Sequence, residues 1–141
     1  MQSFTPESRA FLMEKAHTGK LATVRADGRP HIVPVWFEMD GDTLIFTTGE
    51  TTVKARNIRR DARVSLCVDD ETPPFHYIQI EGTAALSEDM EALTYWATRI
   101  GGRYMGEALA EAYGKRNAVP GELLVRLTPT RIIFKRNIAG W

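Results

Sequence analysis

The N-terminal half of the chain is a succession of short strand-like segments that are separated by turns containing Asp-Gly pairs. Residues 20–25, 31–39 and 43–48 are rich in β-branched and aromatic side chains, which is typical of strands. The turns lie at residues 27–28 and 40–42, and Asp-Gly pairs favour tight hairpin connections. Three successive strands joined in this way predict an antiparallel meander.

Strands dominate the rest of the chain as well, and the helices are inserted between them. The further predicted strands are residues 63–69, 77–86, 122–128 and 131–135. The predicted helices are residues 6–16 after a capping Thr5, a short helix from residue 51 or 52, residues 88–100 after a capping Ser87, and residues 107–113 after a join containing Gly101, Gly102 and Gly106. This order predicts a mainly β fold, a closed or half-closed antiparallel barrel rather than a parallel α/β sheet.

Two residues within the predicted strands indicate local departures from a regular sheet. Pro34 has no N–H to donate, so it marks a sheet edge, a bulge or a place where something other than a strand lies alongside. Gly82 predicts a bulge or a bend in its strand. Small antiparallel sheets must also hide their edges, so we expect closure of the barrel or dimerisation.

Size and charge limit the kinds of protein that this sequence can be. The 141 residues predict one domain, 1–141, with 18 basic and 18 acidic side chains and a formal net charge of zero. A neutral chain argues against a nucleic-acid module, and a lone cysteine, Cys67, excludes an internal disulfide and a multi-cysteine metal cluster. No run of about 18 apolar residues predicts a membrane span, and we expect a reduced, cytoplasmic protein.

The strongest functional signal is the junction between the third strand and the short helix after it. Hydroxyl residues lead through Gly49 into the helix, whose free N–H groups and positive dipole end favour an anion. Between residues 50 and 63 there are five cations and two anions. The side chains expected to surround a phosphate group are Thr47, Thr48, Thr51, Thr52 and Lys54. The alternative interpretation is a capped surface helix with solvated arginines.

Catalytic patterns of the common enzyme classes are missing from this sequence. It has no Walker loop, no Gly-x-Ser-x-Gly and no His-Glu-x-x-His, and His17, His31 and His76 have no metal-ligand spacing. If the protein is an enzyme, we therefore expect a borrowed hydride-transfer cofactor to supply the reactive group. The phosphate-binding junction beside the apolar and aromatic residues 33–37 fits such a cofactor, although core packing also explains those residues.

The order of several short motifs resembles one known family. The motifs are residues 20–24, 27–31, 33–37, 47–48, 54–64 and 81–82. This arrangement resembles the pyridoxamine 5′-phosphate oxidase-like family with its FMN-binding split β-barrel. It is more closely similar to the actinobacterial flavin/deazaflavin oxidoreductases that use coenzyme F-420. The resemblance covers nearly the whole chain and favours the phosphate site over the capped surface helix.

The resemblance implies a homodimer with two cofactor sites at the interface between subunits. The residues that match cofactor-binding positions are Val33, Pro34, Val35 and Trp36 beside the ring system, Thr47 and Thr48 beside the ribityl-phosphate region, and Thr52, Lys54, Asn57 and Arg60 on the helix. Lys54 matches the phosphate-binding lysine. Arg56, Arg59 and Arg60 are candidates for the acidic tail of coenzyme F-420, and surface salt bridges explain them equally well.

The resemblance leaves the substrate open. It implies a reductase that passes a hydride from reduced coenzyme F-420 to a conjugated small molecule such as an enoate, a quinone or a tetrapyrrole. The alternatives are an FMN-dependent oxidoreductase and a non-catalytic module that binds a flavin or a tetrapyrrole. Residues 99–113 and 135–141 match no substrate pattern, and equivalents of the pyridoxal phosphate-binding residues are not found, which disfavours vitamin B6 oxidation.

Overall fold

The computed structural model describes residues 2–140, so the C-terminal Trp141 lies outside the described part. Along the chain the elements are α1 (Pro6–Met13), β1 (Gly19–Val24), β2 (Pro30–Val35), β3 (Glu38–Asp40), β4 (Thr43–Gly49), α2 (Val53–Arg60), β5 (Arg63–Asp69), β6 (Tyr77–Ser87), α3 (Met90–Met105), α4 (Ala110–Asn117) and β7 (Glu122–Lys135). A short 3-10 turn, Glu107–Leu109, joins α3 to α4. Among residues 2–140, no helix has both the length and the apolar character that a membrane crossing requires.

The seven strands form one antiparallel sheet in the order β2-β1-β5-β6-β7-β4-β3. The two strands at the ends of this order, β2 and β3, are consecutive in the chain and are joined by Trp36 and Phe37. The sheet therefore curls into a barrel whose first and last strands are two halves of one bent segment. This arrangement confirms the predicted mainly β, antiparallel split barrel with inserted helices.

The predicted strand 31–39 and the meander built on it are wrong in detail. β2 pairs with β1, whereas β3 pairs with β4, so the two halves of this segment join opposite edges of the sheet. Between them the N–H of Phe37 donates to the hydroxyl of Tyr104 at 3.0 Å, and the Arg103 guanidinium donates to its carbonyl. The segment breaks because helix α3 satisfies the Phe37 main chain. Pro34 lies on the edge strand β2, as its missing N–H predicts.

The predicted break between strands 122–128 and 131–135 is also wrong, since β7 is continuous. Pro129 is accommodated by a register shift between Glu81 and Gly82 of β6, and it lies opposite Gly82. A Cβ atom on Gly82 would lie 2.3 Å from the Thr128 carbonyl oxygen, so the close approach of the two chains requires glycine there. The bulge predicted at Gly82 is confirmed.

The helix boundaries follow local capping signals with three corrections. Thr5 caps α1 as predicted, although the helix ends at Met13 rather than residue 16. Asp89, not Ser87, caps α3, because its carboxylate accepts the N–H groups of Glu91 and Ala92. Helix α3 then continues to Met105 through the glycines that were expected to end it.

Those glycines are instead the surface on which α4 packs. A Cβ atom on Gly101 would lie 2.4 Å from Cβ of Tyr113, and one on Gly102 would lie 3.1 Å from Cβ of Ala110. On the opposite helix, a Cβ atom on Gly114 would lie 2.0 Å from Oγ1 of Thr98. Glycine on both sides lets the two helix backbones approach closely.

The barrel interior is an apolar core whose largest fully buried side chains are Phe37, Phe46, Leu12, Leu21, Leu44, Leu66, Ile78, Ile80 and Leu127. Ile45, Leu93 and Leu124 form a second, smaller cluster that includes a side chain of α3. Burial of each such side chain contributes about 1.5–3 kcal/mol. This core fixes the ends of β2, β3 and β4, which surround the candidate site.

Candidate functional site

The junction between β4 and α2 is built around two threonine hydroxyl groups. Thr52 is the N-cap of α2: its Oγ1 accepts the N–H of Ala55 at 3.2 Å and donates to the carbonyl of Gly49 at 2.9 Å. Thr48 is 3% exposed, and its hydroxyl lies 2.8 Å from that of Thr52. The helix begins where the sequence predicts, and these two hydroxyl groups shape the junction by bonding to protein groups.

Lys54 lies in the first turn of α2 beside a carboxylate that the sequence did not indicate. Burial lowers the pKa of Lys54, and the nearby Glu122 carboxylate opposes that effect. Burial raises the pKa of Glu122, while the Thr47 side chain and Lys54 favour its ionised form. Glu122 opens β7 and lies across the ladder from Gly49. Lys54 is thus a half-buried ammonium group at the end of β4 with one acidic neighbour.

Asn57 and Arg60 fasten α2 to β1. The Asn57 side chain is buried, and its amide nitrogen donates to the hydroxyl of Thr23 at 2.9 Å. Arg60 donates to the Asn57 amide oxygen at 3.2 Å and also to the carbonyl of Val24. Both ends of the Asn57 side chain are therefore occupied by protein groups, and the structure does not group it with Lys54 as a free ligand-binding amide.

A cationic groove lies between α2 and the turn that joins β1 to β2. Its volume is about 320 Å³, and its charged lining consists of Arg25, Arg29, Arg56, Arg60 and Asp27. Guanidinium groups outnumber carboxylates by four to one in this lining. The one carboxylate, Asp27, is paired with Arg29 at 2.7 Å. The groove suits a ligand with several negative charges.

Part of this cationic groove was missed from the sequence. Arg25 and Arg29 come from another part of the chain than α2, and the attachment of α2 to β1 through the Asn57–Thr23 and Arg60–Val24 hydrogen bonds places them there. Arg59, which was predicted with Arg56 and Arg60, lies in a different depression with Leu86, Glu88 and Leu123. The structure thus separates Arg59 from the other two arginines.

The four predicted residues of the ring-binding segment are divided between a strand and a bend. Val33 and Val35 alternate with the exposed Pro34 along β2, and the ladder with β1 ends at the pair Gly19–Val35. Trp36 follows the end of β2 and stacks on Tyr104, with ring centroids 4.9 Å apart and ring planes 3° from parallel. Trp36 remains 36% exposed.

The main-chain groups of Trp36 face an opening between the two strands. The ladder of β3 with β4 ends at the pair Glu38–Ile45. Met39 donates its N–H to the Glu38 carboxylate rather than to β4. Because the main-chain groups of successive residues in a strand point to opposite sides, those of Glu38 and Trp36 both point toward β4. In the same register Thr47 would lie opposite Trp36, but these residues are beyond the last pair. We call the space between Trp36 and Thr47 the opening; a predicted site residue thus lies on each side of it.

The side chains around this region fit a planar, anionic molecule. Lys54 and the cationic groove supply positive charge, and by the ladder register the main chains of Trp36 and Thr47 face each other beyond the last β3–β4 pair, beside the Trp36 ring. Among the described residues, Nδ1 of His31 is the one buried side-chain nitrogen or oxygen without a partner. His31 pairs with Thr23 across the ladder, which places an unsatisfied polar atom near the anchor of α2.

Several characterised proteins are similar to this chain in sequence or in fold. An F420H(2)-dependent biliverdin reductase of Mycobacterium tuberculosis is 33% identical over 98 residues, 70% of each chain. A 5a,11a-dehydrotetracycline/5a,11a-dehydrooxytetracycline reductase of Streptomyces rimosus is 41% identical over 71 residues, and the match spans about half the length of either protein, 48% and 49%. A solved structure described as an F420 reductase is 28% identical, with a TM-score of 0.70 and coverage of 92% of this chain and 98% of that one.

The match to a family model covers more of the chain than the sequence match to either named reductase. Residues 4–136 match the family model that is described as pyridoxamine 5′-phosphate oxidase. The matched span includes the opening beside Trp36, the junction of β4 with α2 and the cationic groove. The protein with this split barrel is a member of the pyridoxamine 5′-phosphate oxidase family.

Proposed function

We propose that this protein is an oxidoreductase that uses reduced coenzyme F-420 to reduce a conjugated small molecule. The observation that carries the proposal is the cationic groove beside the β4–α2 junction, because its four arginines suit a cofactor with both a phosphodiester and an acidic tail. The named activities of the mycobacterial and Streptomyces relatives support a reductase. Biliverdin and the dehydrotetracyclines are conjugated molecules, which supports that class of acceptor.

In this proposal each part of the site has a distinct task. Lys54 holds the phosphate group at the N-terminus of α2, where the helix dipole adds to its charge. Arg25, Arg29, Arg56 and Arg60 hold the acidic tail. Trp36 and Thr47 border the ring system, with the main chain of Trp36 facing it. Reduced coenzyme F-420 supplies a hydride when bound, so the protein needs to orient the two molecules and exclude water.

We also propose that the working form is a homodimer. Three exposed apolar side chains lie close together: Ile32 on β2 is 64% exposed, Phe75 in the loop before β6 42% and Ile138 after β7 53%. They line a groove of about 730 Å³ together with Cys67, Tyr77 and the charged residues Lys20, Asp69, Asp70 and Glu71. A second copy covering this face would bury the apolar groups and protect the edge strand β2.

FMN is the second candidate cofactor. Lys54 and the threonine-rich junction suit its phosphate group as well, and the family description is consistent with a flavin-related ligand. A single phosphate group, however, carries fewer negative charges than the cationic groove can balance, even though Arg29 is paired with Asp27 and Arg60 bonds to Asn57. The groove therefore favours the cofactor with the longer anionic tail.

The test is a pair of fluorescence titrations of the purified apo-protein, one with coenzyme F-420 and one with FMN. We expect micromolar or tighter binding of coenzyme F-420 and weaker binding of FMN. The Arg25→Gln/Arg29→Gln double variant should weaken coenzyme F-420 binding and leave FMN binding unchanged. The opposite preference in the parent protein would support the flavin enzyme, and binding of neither molecule would overturn the proposed function.

A further inference from the structure

The hydroxyl group of Tyr104 lies between β1 and the bent segment that joins β2 to β3. It accepts the N–H of Phe37 at 3.0 Å and donates to the carbonyl of His17 at 2.6 Å. The last pair of the β1–β2 ladder is Gly19–Val35. By the alternation of an antiparallel ladder, the next bonded pair would join Phe37 to His17. The tyrosine hydroxyl thus takes the place of a direct strand-to-strand hydrogen bond.

Neighbouring groups hold this inserted hydroxyl in place. Arg103, one residue earlier on α3, donates to the carbonyls of Phe37, Leu12 and Lys15, and its guanidinium carbon lies 4.5 Å from the centroid of the Phe37 ring. Burial raises the pKa of Tyr104, so the hydroxyl keeps its proton at neutral pH and can donate to His17. The last turn of α3 is therefore bonded to the end of α1 and to both sides of the bend.

The same tyrosine ring supports Trp36. The two rings are 3° from parallel with centroids 4.9 Å apart, and the indole remains partly exposed. Trp36 is the residue whose main chain faces β4 across the opening in the sheet. One side chain therefore fixes both the bend that ends the β1–β2 ladder and the ring of the residue on the edge of the opening.

We propose that Tyr104 is a positioning residue of the candidate site: its hydroxyl wedges β1 away from Phe37, and its ring holds Trp36 at the edge of the opening toward β4. This proposal rests on the proposed function only for the identity of the molecule that enters the opening. Arg103 acts with Tyr104 by fixing the Phe37 carbonyl.

The first measurement is amide hydrogen exchange by NMR on the parent protein and on Tyr104→Phe. The phenylalanine ring keeps the space between the strands filled but cannot accept from Phe37, so we expect exchange of the Phe37 amide to be about tenfold faster. The amides of Leu66 and Ile80, which pair with each other in the central β5–β6 ladder, should exchange at the parent rate. Unchanged exchange at Phe37, or equal acceleration at all three amides, would overturn the proposal.

The second measurement is the affinity for coenzyme F-420, followed by fluorescence. We expect the dissociation constant of Tyr104→Phe to be about tenfold higher than that of the parent, as for loss of a buried hydrogen bond that orders the site. The control is Tyr113→Phe, because Tyr113 also lies near Trp36, with ring centroids 6.0 Å apart, and its hydroxyl has no hydrogen-bond partner within residues 2–140. The control should bind as the parent does.

The outcomes separate this proposal from the proposed function. Faster exchange at Phe37 with unchanged cofactor affinity would show that Tyr104 holds the bend but does not position the site, which overturns the proposal. Failure of the parent protein to bind either cofactor would overturn the proposed function, and the exchange of Phe37 would still decide the role of the hydroxyl in the bend. If Tyr104→Phe does not fold, Arg103→Lys tests the same bend, and we expect weaker cofactor binding from it as well.

Discussion

The hydroxyl groups of Thr48 and Thr52 lie 2.8 Å apart and bond the end of β4 to the start of α2. Thr52 also caps the helix by accepting the N–H of Ala55. Lys54 lies two residues after Thr52. The bond between the two hydroxyl groups therefore fixes the position of the Lys54 backbone relative to β4. The residues that stabilise the junction are therefore direct neighbours of the lysine that we propose holds the phosphate group.

Replacement of Thr52 by alanine should lower the free energy of unfolding by about 1 kcal/mol, since the N-cap hydrogen bond is lost. Thr52→Ser keeps the capping hydroxyl and is the matched control. Urea unfolding followed by circular dichroism measures both variants. Equal stability of Thr52→Ala and the parent would show that the cap contributes nothing.

Replacement of Lys54 by methionine should weaken the binding of coenzyme F-420 by about 1.5–3 kcal/mol, the range for a hydrogen bond to a charged group. Methionine preserves much of the side-chain length while removing the charge. Lys115→Met, at an exposed position of α4, is the control and should bind as the parent does. If both variants bind equally well, Lys54 does not hold the phosphate group.

Replacement of Asn57 by alanine should act on stability more than on binding. The Thr23 hydroxyl and the Arg60 guanidinium would each lose a partner, which lowers the free energy of unfolding by about 1–3 kcal/mol. Cofactor affinity of the folded variant should fall less than in Lys54→Met. Loss of affinity at unchanged stability would instead support the sequence-based prediction that Asn57 contacts the cofactor.

Replacement of Gly101 by alanine should destabilise the protein, although alanine is the better helix former by about 1 kcal/mol. The new Cβ atom would lie 2.4 Å from Cβ of Tyr113, and overpacking of this kind costs about 1–3 kcal/mol. Thr94→Ala, at an exposed position of the same helix where the hydroxyl bonds to the Met90 carbonyl one turn earlier, shows mainly the effect of helix propensity. Thermal unfolding of the two variants should therefore shift in opposite directions.

Cofactor binding should weaken at alkaline pH. The decline should begin at a lower pH than for a lysine whose pKa is that of a fully solvated side chain. Burial lowers the pKa of Lys54, and Glu122 opposes that shift. Binding requires the protonated ammonium group, so affinity is full below the pKa of Lys54 and falls as the pH rises through it. In Glu122→Gln the opposing carboxylate is gone, and the decline should begin at a lower pH. Titrations of both proteins between neutral and alkaline pH measure this difference, and identical profiles would contradict it.

Local signals were sufficient for the elements that the chain determines by itself. The capping threonine of α2 and the β-branched strand β5 depend on residues within a few positions of each other, and Gly82 indicates its bulge by residue type alone although the cause, the close approach of β7, is distant. The junction proposed to bind a phosphate group is visible in the sequence for the same reason, since strand end, cap and lysine lie within a few residues of each other. The order of such motifs also indicated the family.

Features that depend on distant residues were not predictable from these patterns. The break in strand 31–39 arises from Tyr104, which lies 67 positions after Phe37 in the chain. Glu122 reaches the Lys54 region only because β7 pairs with β4. Arg25 and Arg29 join the cationic groove through the β1–β2 turn. Neither periodicity nor turn chemistry contains information on such long-range pairings.

The position of β7 in the sheet has a consequence for synthesis of the nascent chain on the ribosome. β7 lies between β6 and β4 in the sheet, although it comes last among the strands in the chain. Before residues 122–135 emerge, β2-β1-β5-β6 and β4-β3 are two separate ladders, each with an open edge that awaits the same partner. The barrel therefore cannot close before residues 122–135 have been synthesised, and until then strands from neighbouring chains can compete for those edges.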